Sequence, residues 1–203
     1  MRYSQYQAYA AQFPGKEVID GVLYDTVQYP QAGALRLTFF NALRATIDLS
    51  NMRAAGQLPY PEEFCIRAIR FYVKAFPEST ATAAAASVQL DAVNVISQMV
   101  NTGVLQLNIG QKDYGIYPLS NLPAGGGPFG VIVVNNVLIA GAACSFANNG
   151  YPHIRNTFTL AKPITIPSQM NFNVTITWAA LAPVIRATNV TVALEGDLIR
   201  AIQ

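Results

Sequence analysis

Three consecutive glycines in the middle of the chain raise the possibility of a phosphate-binding loop. Gly125, Gly127 and Gly130 match the GxGxxG spacing of dinucleotide-binding turns. A P-loop, however, needs Lys followed by Ser or Thr after its last glycine, and a dinucleotide-binding turn must open a helix. Here Pro128 removes a backbone donor, and the β-branched run VIVV (131–134) predicts a strand. The residues from Ala124 to Gly130 are therefore predicted to form a flexible loop that contacts a neighbouring subunit rather than a nucleotide.

The remaining residues that could do chemistry are few. His153 is the single histidine, and no carboxylate or nucleophile lies near it in sequence. Glu195 and Asp197 could form a carboxylate pair, but the intervening Gly196 predicts a turn or bulge. We therefore expect no enzyme activity, no catalytic residue, no metal and no cofactor or other small-molecule ligand.

The two cysteines, Cys65 and Cys144, lie in apolar surroundings and far apart in sequence, with no CxxC spacing. We expect two buried free thiols rather than a disulfide, because the N-terminus has no apolar signal segment and a reducing compartment is therefore expected.

Charged residues make up 12% of the 203 residues, about half of the roughly 25% usual in soluble proteins. The net charge is +2, and Lys and Arg are scattered singly, which disfavours specific recognition of nucleic acid. No apolar run reaches the roughly 20 residues of a transmembrane helix. A surface with so little charge suits a subunit covered by its neighbours, so the composition favours assembly, although an ordinary β-protein with a Ser/Thr/Asn surface remains an alternative.

Alternating apolar and polar residues predict about eight strands. The ranges are 34–40, 64–76, 104–109, 114–119, 131–140, 158–167, 171–178 and 189–199. The range 131–140 is read either as one bulged strand or as two short strands. Glycine-, proline- and asparagine-rich turns without βαβ alternation indicate an all-β antiparallel sandwich or barrel, and we favour a single jelly roll.

One helix is predicted within the sandwich, over about residues 80–101. Ser79 or Thr80 can cap its beginning, and Gly103 is expected to stop it. Val95, Met99 and other apolar residues recur at three- and four-residue steps, which predicts one buried face.

Residues 1–33 are rich in Tyr, Gln, Pro and Gly and are predicted to form an extended N-terminal arm, followed by one domain over 34–203. The arm is expected either to contact a neighbouring subunit or to wrap its own domain. The candidate subunit contacts are Tyr3, Tyr6, Tyr9, Phe13, Tyr24, Tyr29, Gly125, Gly126, Gly127 and Phe129.

Several stretches resemble jelly-roll structural proteins of bacteriophages. They are ITIPSQMNFNVTITW (164–178) with VTVALEGDLIRAIQ (190–203), and GVLQLNIGQKDYGIYPLSNLPAGGG (103–127) preceded by AGQLPYPEEFCIRAIRFYVK (55–74). The resemblance implies a coat protein or a decoration protein of the particle shell, assembled in the host cytoplasm, whose partners are copies of itself and other virion proteins.

Two other functions compete with this expectation. A receptor- or carbohydrate-binding module could use the same fold, although a single tryptophan, Trp178, offers no aromatic platform. A cupin-like metalloenzyme would need several histidines, and the chain has one.

Overall fold

The computed structural model describes residues 13–73, 97–122, 129–133, 144–148, 157–183 and 187–202. The strands in these ranges are β1 (Lys16–Tyr29), β2 (Arg36–Phe39), β3 (Glu63–Val73), β4 (Gly103–Ile109), β5 (Lys112–Pro118), β6 (Phe129–Val133), β7 (Cys144–Asn148), β8 (Thr159–Ile166), β9 (Phe172–Trp178) and β10 (Thr188–Ala201). A 3₁₀ turn over Leu119–Asn121 follows β5. The expectation of an all-β chain is confirmed.

Two four-stranded antiparallel sheets form a sandwich. Sheet A has the strand order β1-β10-β3-β8 and sheet B the order β2-β9-β4-β5. The strands β6 and β7 pair only with each other among the described residues. The predicted antiparallel sandwich is therefore confirmed.

Aromatic residues pack against one another in the core between the two sheets. The Tyr29 ring of β1 meets Trp178 of β9 edge to face at 5.3 Å, and its hydroxyl donates to the carbonyl oxygen of Ala182 at 2.9 Å. At the other end Phe40 packs against Phe172 at 5.3 Å. The Tyr29–Trp178 contact joins sheet A to sheet B, whereas Phe40 and Phe172 both lie on the sheet B side, and all four rings add to the apolar area buried in the core.

A β-bulge in β3 changes which face its side chains occupy. Ile66 pairs with Gly196 of β10, but Ala68 already pairs with Glu195, so Arg67 is an extra residue in β3. Phe64 and Ile66 face the core before the bulge, and Ile69, Phe71 and Val73 face it afterwards. The nearly continuous alternation predicted for 64–76 places Phe64 and Ile66 on the side opposite Ile69 and Phe71, and this is wrong, because an inserted residue exchanges the two faces of a strand. The irregularity predicted at Gly196 is confirmed as a bulge.

The described end of the helix matches the prediction. Residues 97–102 are helical, Met99 and Val100 are buried, and β4 begins at Gly103. A Cβ atom at Gly103 would lie 2.7 Å from Nε1 of Trp178, so the helix-to-strand junction needs glycine. The rest of the predicted helix lies outside the described residues.

The predicted arm needs a correction. Residues 16–29 are not an arm but strand β1, which pairs with β10 along its whole length. Polar residues alternate with Leu23, Val27 and Tyr29, a pattern that the scattered tyrosines obscured in the sequence. Residues 1–12 lie outside the described residues.

Replacing Gly196 tests the close approach at the bulge. A Cβ atom there would overlap the carbonyl oxygen of Cys65 and lie 2.8 Å from its carbonyl carbon. We expect Gly196→Ala to lower the free energy of unfolding by about 3 kcal/mol, measured by urea denaturation. The matched control is Gly21→Ala on β1, directly opposite Gly196, where a Cβ atom would lie 3.8 Å or more from its neighbours. Equal losses in both variants would contradict the steric argument.

Candidate functional site

The segment between β2 and β3 forms a structured border along β1. We call residues 40–52 the edge segment. Thr26 donates its backbone N–H to the carbonyl oxygen of Leu49 at 2.7 Å, and Asp25 and Ser50 form an isolated β-bridge. The Asn51 side chain accepts from the N–H of Tyr24 at 2.9 Å and donates to the carbonyl oxygen of Val22 at 2.6 Å. The edge segment thus satisfies backbone groups of β1 over residues 22–26.

A buried carboxylate anchors the edge segment. Asp25 is fully buried and accepts hydrogen bonds from Nε and Nη2 of Arg44 at 2.8 and 2.9 Å and from the N–H of Phe40 at 2.6 Å. The hydrogen bond to Asp25 raises the pKa of Arg44, and burial opposes that rise. Phe40 has a φ of 64°, a left-handed conformation that bulky residues rarely adopt, and the bond to Asp25 helps to hold it. The carboxylate therefore fixes the edge segment at two points.

The anchored segment presents large apolar side chains to solvent. Leu43 is 56% exposed and Ile47 is 77% exposed, the highest value among the large apolar residues that the structure describes. The hydroxyl of Tyr24 donates to the carbonyl oxygen of Ile47, so the backbone that carries this side chain is held in place. Exposed side chains on a fixed backbone are suited to binding, because little conformational entropy is lost on contact.

A small cleft opens beside the edge segment. Its volume is about 130 Å³, below the range of roughly 300–1,000 Å³ of sites for drug-sized ligands. Leu23, Leu58, Phe64 and Leu198 are among its lining residues. The Arg53–Glu62 ion pair, 2.9 Å long, also lines the cleft. Its size suits one side chain rather than a cofactor.

Ion pairs occupy the outward face of sheet A. Arg67, the extra residue of the β3 bulge, lies between Asp20 and Asp197 and contacts Asp197 at 3.1 Å. Arg70 and Glu195 pair at 2.8 Å. Asp20 and Asp197 are cross-strand partners, and Arg67 offsets the repulsion that two facing carboxylates create. Glu195 and Asp197 thus each form an ion pair with an arginine of β3.

The predicted contact residues that the structure describes lie in different parts of the fold. Tyr29 is buried in the core, and Phe13 packs against the small cluster of Val18, Cys65 and Ile199. Tyr24 is half-buried and bonded to the edge segment. Phe129 belongs to strand β6, which corrects its assignment to the glycine loop. Tyr3, Tyr6, Tyr9, Gly125, Gly126, Gly127 and His153 lie outside the described residues.

The residues of the edge segment and the cleft were missed because their signal is tertiary. Asp25, Arg44 and Ile47 show no motif spacing, and the stretch from 41 to 50 carries no strand or helix pattern. One available signal was a pair of large aliphatic residues, Leu43 and Ile47, four apart in a loop. Cys65 is a buried free thiol, as expected.

Within the described ranges, no cluster of three or more His, Cys, Asp or Glu side chains is placed to hold a metal ion. No described helix has the length and apolar character needed to cross a membrane. No family model, curated protein or solved structure matches the chain.

Removing the buried carboxylate tests its role as an anchor. We expect Asp25→Ala to lower the free energy of unfolding by about 3 kcal/mol in urea denaturation, because it leaves Arg44 without its partner and the N–H of Phe40 without an acceptor. Asp20→Ala is the matched control, since Asp20 forms an exposed ion pair and should change stability by less than about 1 kcal/mol. A loss for Asp25→Ala as small as that of the control would contradict the anchor.

Two half-buried tyrosines should make the fold sensitive to alkali. Burial raises the pKa of Tyr72, the hydrogen bond with Thr191 lowers it, and the proximity of Tyr24 raises it. Burial also raises the pKa of Tyr117. A phenol whose pKa is raised by folding stabilises the fold fully below its unfolded value of 10.0, and this contribution is lost as the pH rises through the folded value.

We therefore expect the unfolding free energy of the native chain to fall above about pH 10. In the double variant Tyr72→Phe/Tyr117→Phe this fall should be smaller, as measured by urea denaturation between about pH 8 and 11. Tyr60→Phe, at a side chain that is 75% exposed, is the control. An equal decline in the double variant and the native chain would count against this source of alkaline sensitivity.

Proposed function

We propose that the chain is a structural subunit of a bacteriophage particle, forming or decorating its capsid through subunit contacts on a single jelly roll. The observation that carries the proposal is the order of the strands. If the β6–β7 hairpin is set aside, the remaining eight strands pair in a nested way, first with last and so inward: β1 with β10, β2 with β9, β3 with β8 and β4 with β5.

Nested pairing is what a long hairpin gives when it is rolled into two sheets. The additional pairings of β10 with β3 and of β4 with β9 join the nested pairs into the two four-stranded sheets. An eight-stranded double sheet of this kind supports the jelly roll, an architecture that viral capsid proteins share with lectins and cupins. The sequence resemblance to phage shell proteins favours the capsid among these.

The distribution of charge also supports an assembly role. The outward face of sheet B, between Arg36 on β2 and Asp113 on β5, carries neutral polar or apolar side chains. They are Thr38, Thr177, Asn173, Val104, Gln106, Asn108, Ile116 and Pro118, together with Thr175, which is already buried. Neutral groups lose less hydration energy than charged ones when a neighbour covers them, so such a face suits subunit contacts.

The proposal is tested by the state of the purified full chain in solution. We expect a symmetric oligomer or shell, observed by light scattering over a concentration series and by negative-stain electron microscopy. Because the contacts are expected to be apolar or neutral, association should persist at about 1 M salt, where the screening length is about 3 Å. A chain that stays monomeric at the highest concentration reached would overturn the proposal.

A further inference from the structure

We propose that two copies of the chain associate through the edge segment, with Ile47 of each copy seated in the cleft of the other. The inference rests on the proposed function, because it names a contact through which such a subunit would assemble. Its elements are the exposed side chain of Ile47, the adjacent cleft and the charges beside each of them.

The backbone at Ile47 is fixed while its side chain is exposed. Ile47 is 77% exposed, yet its carbonyl oxygen accepts from the hydroxyl of Tyr24, and the Asp25–Arg44 pair anchors the preceding turn. Exposed aliphatic side chains are common on protein surfaces and by themselves mark no contact. A large apolar side chain on an anchored backbone has the character of an interface hot spot, since packing is gained with little ordering.

The cleft offers an apolar floor of matching size. Its volume of about 130 Å³ is close to that of an apolar cavity of about 150 Å³ that accepts a benzene ring, so it offers space for one large aliphatic side chain. Leu23, Leu58 and Phe64 are buried residues of its lining, and Val22 at its border is 41% exposed. Ile47 entering this space would exchange water on both sides for apolar contact.

Both elements lie on the same side of the molecule. Tyr24 bonds to Ile47 through its hydroxyl and to Asn51 through its N–H, and Asn51 bonds to Val22 at the cleft. An exposed side chain and its receptor on one surface patch allow a two-fold contact, in which each copy gives Ile47 and receives the other's. The occupant of the cleft is therefore a second copy of this chain.

The charges beside the two elements are complementary. Asp48 follows Ile47 and is exposed. At the cleft the side chain of Arg53 is 71% exposed and pairs with Glu62, whose side chain is 14% exposed, so the guanidinium is the more accessible member of this ion pair. Seating Ile47 in the partner's cleft brings Asp48 towards the partner's Arg53, and the same contact recurs across the two-fold axis.

The apolar contact is tested by sedimentation equilibrium of the full chain. Ile47→Ser should raise the dissociation constant by about tenfold or more, because one side chain per copy loses its burial. Leu181→Ser is the matched control: Leu181 is 56% exposed and lies in the loop after β9, outside the edge segment, the cleft and the outward face of sheet B. It should leave the dissociation constant unchanged. Thermal unfolding of each variant checks that the fold is intact.

The charge contact is tested by exchanging partners. Asp48→Lys alone and Arg53→Glu alone should each weaken self-association, because like charges then meet across the interface. An equimolar mixture of the two variants should form heterodimers, since every contact in the mixed pair joins opposite charges. Differential tagging and native mass spectrometry distinguish heterodimers from homodimers.

The outcomes separate this inference from the proposed function. If the native chain associates and Ile47→Ser associates equally well, or the charge-exchanged mixture forms no heterodimers, the contact is wrong while the assembly function stands. If the native chain is monomeric throughout, both are overturned. Weakening by Ile47→Ser but not by Leu181→Ser, together with heterodimers in the mixture, supports the contact.

Discussion

The extra residue in β3 is the constraint on which the arrangement of sheet A depends. Arg67 has no partner position in β10, so the side chains of β3 change faces at this point. Without the bulge, Phe64 and Ile66 could not share the core with Ile69 and Phe71, because the two pairs have opposite parity. The strand therefore remains apolar on its inner side over its full length, although its sequence alternates in two different phases.

The same bulge determines the chemistry of the outer side. It brings Arg67 between two facing carboxylates, Asp20 and Asp197, and it brings the backbone of β3 so close to β10 that only glycine fits at position 196. The Glu195-Gly196-Asp197 sequence, which could be read as a carboxylate pair, thus has a structural explanation. The glycine permits the close approach, and the acids pair with the arginines of β3.

The sequence was sufficient for the fold class and for most strands, because residues that alternate with period two carry that information locally. It was insufficient for β1, whose polar residues and tyrosines masked the alternation of Leu23, Val27 and Tyr29. The exchange of side-chain faces within β3 could not be predicted from the sequence either, because a bulge depends on how the strand pairs with its neighbour. The edge segment and the cleft depend on contacts between residues about 20 or more positions apart, such as Asn51 with Val22, and no local pattern encodes them.

The positions of the charged residues give a physical reason for the low charge of the chain. The ion pairs on sheet A and at its borders hold Glu17, Asp20, Glu63, Glu195 and Asp197. One further carboxylate, Asp25, is used inside to anchor the edge segment. These charges stabilise neighbouring strands of one molecule, whereas sheet B and the exposed part of the edge segment present mainly neutral and apolar groups. Asp197 is already buried, but association through the latter surfaces would leave the exposed border pairs Lys16–Glu63 and Arg200–Glu17 hydrated, which avoids the desolvation penalty that burying them would impose.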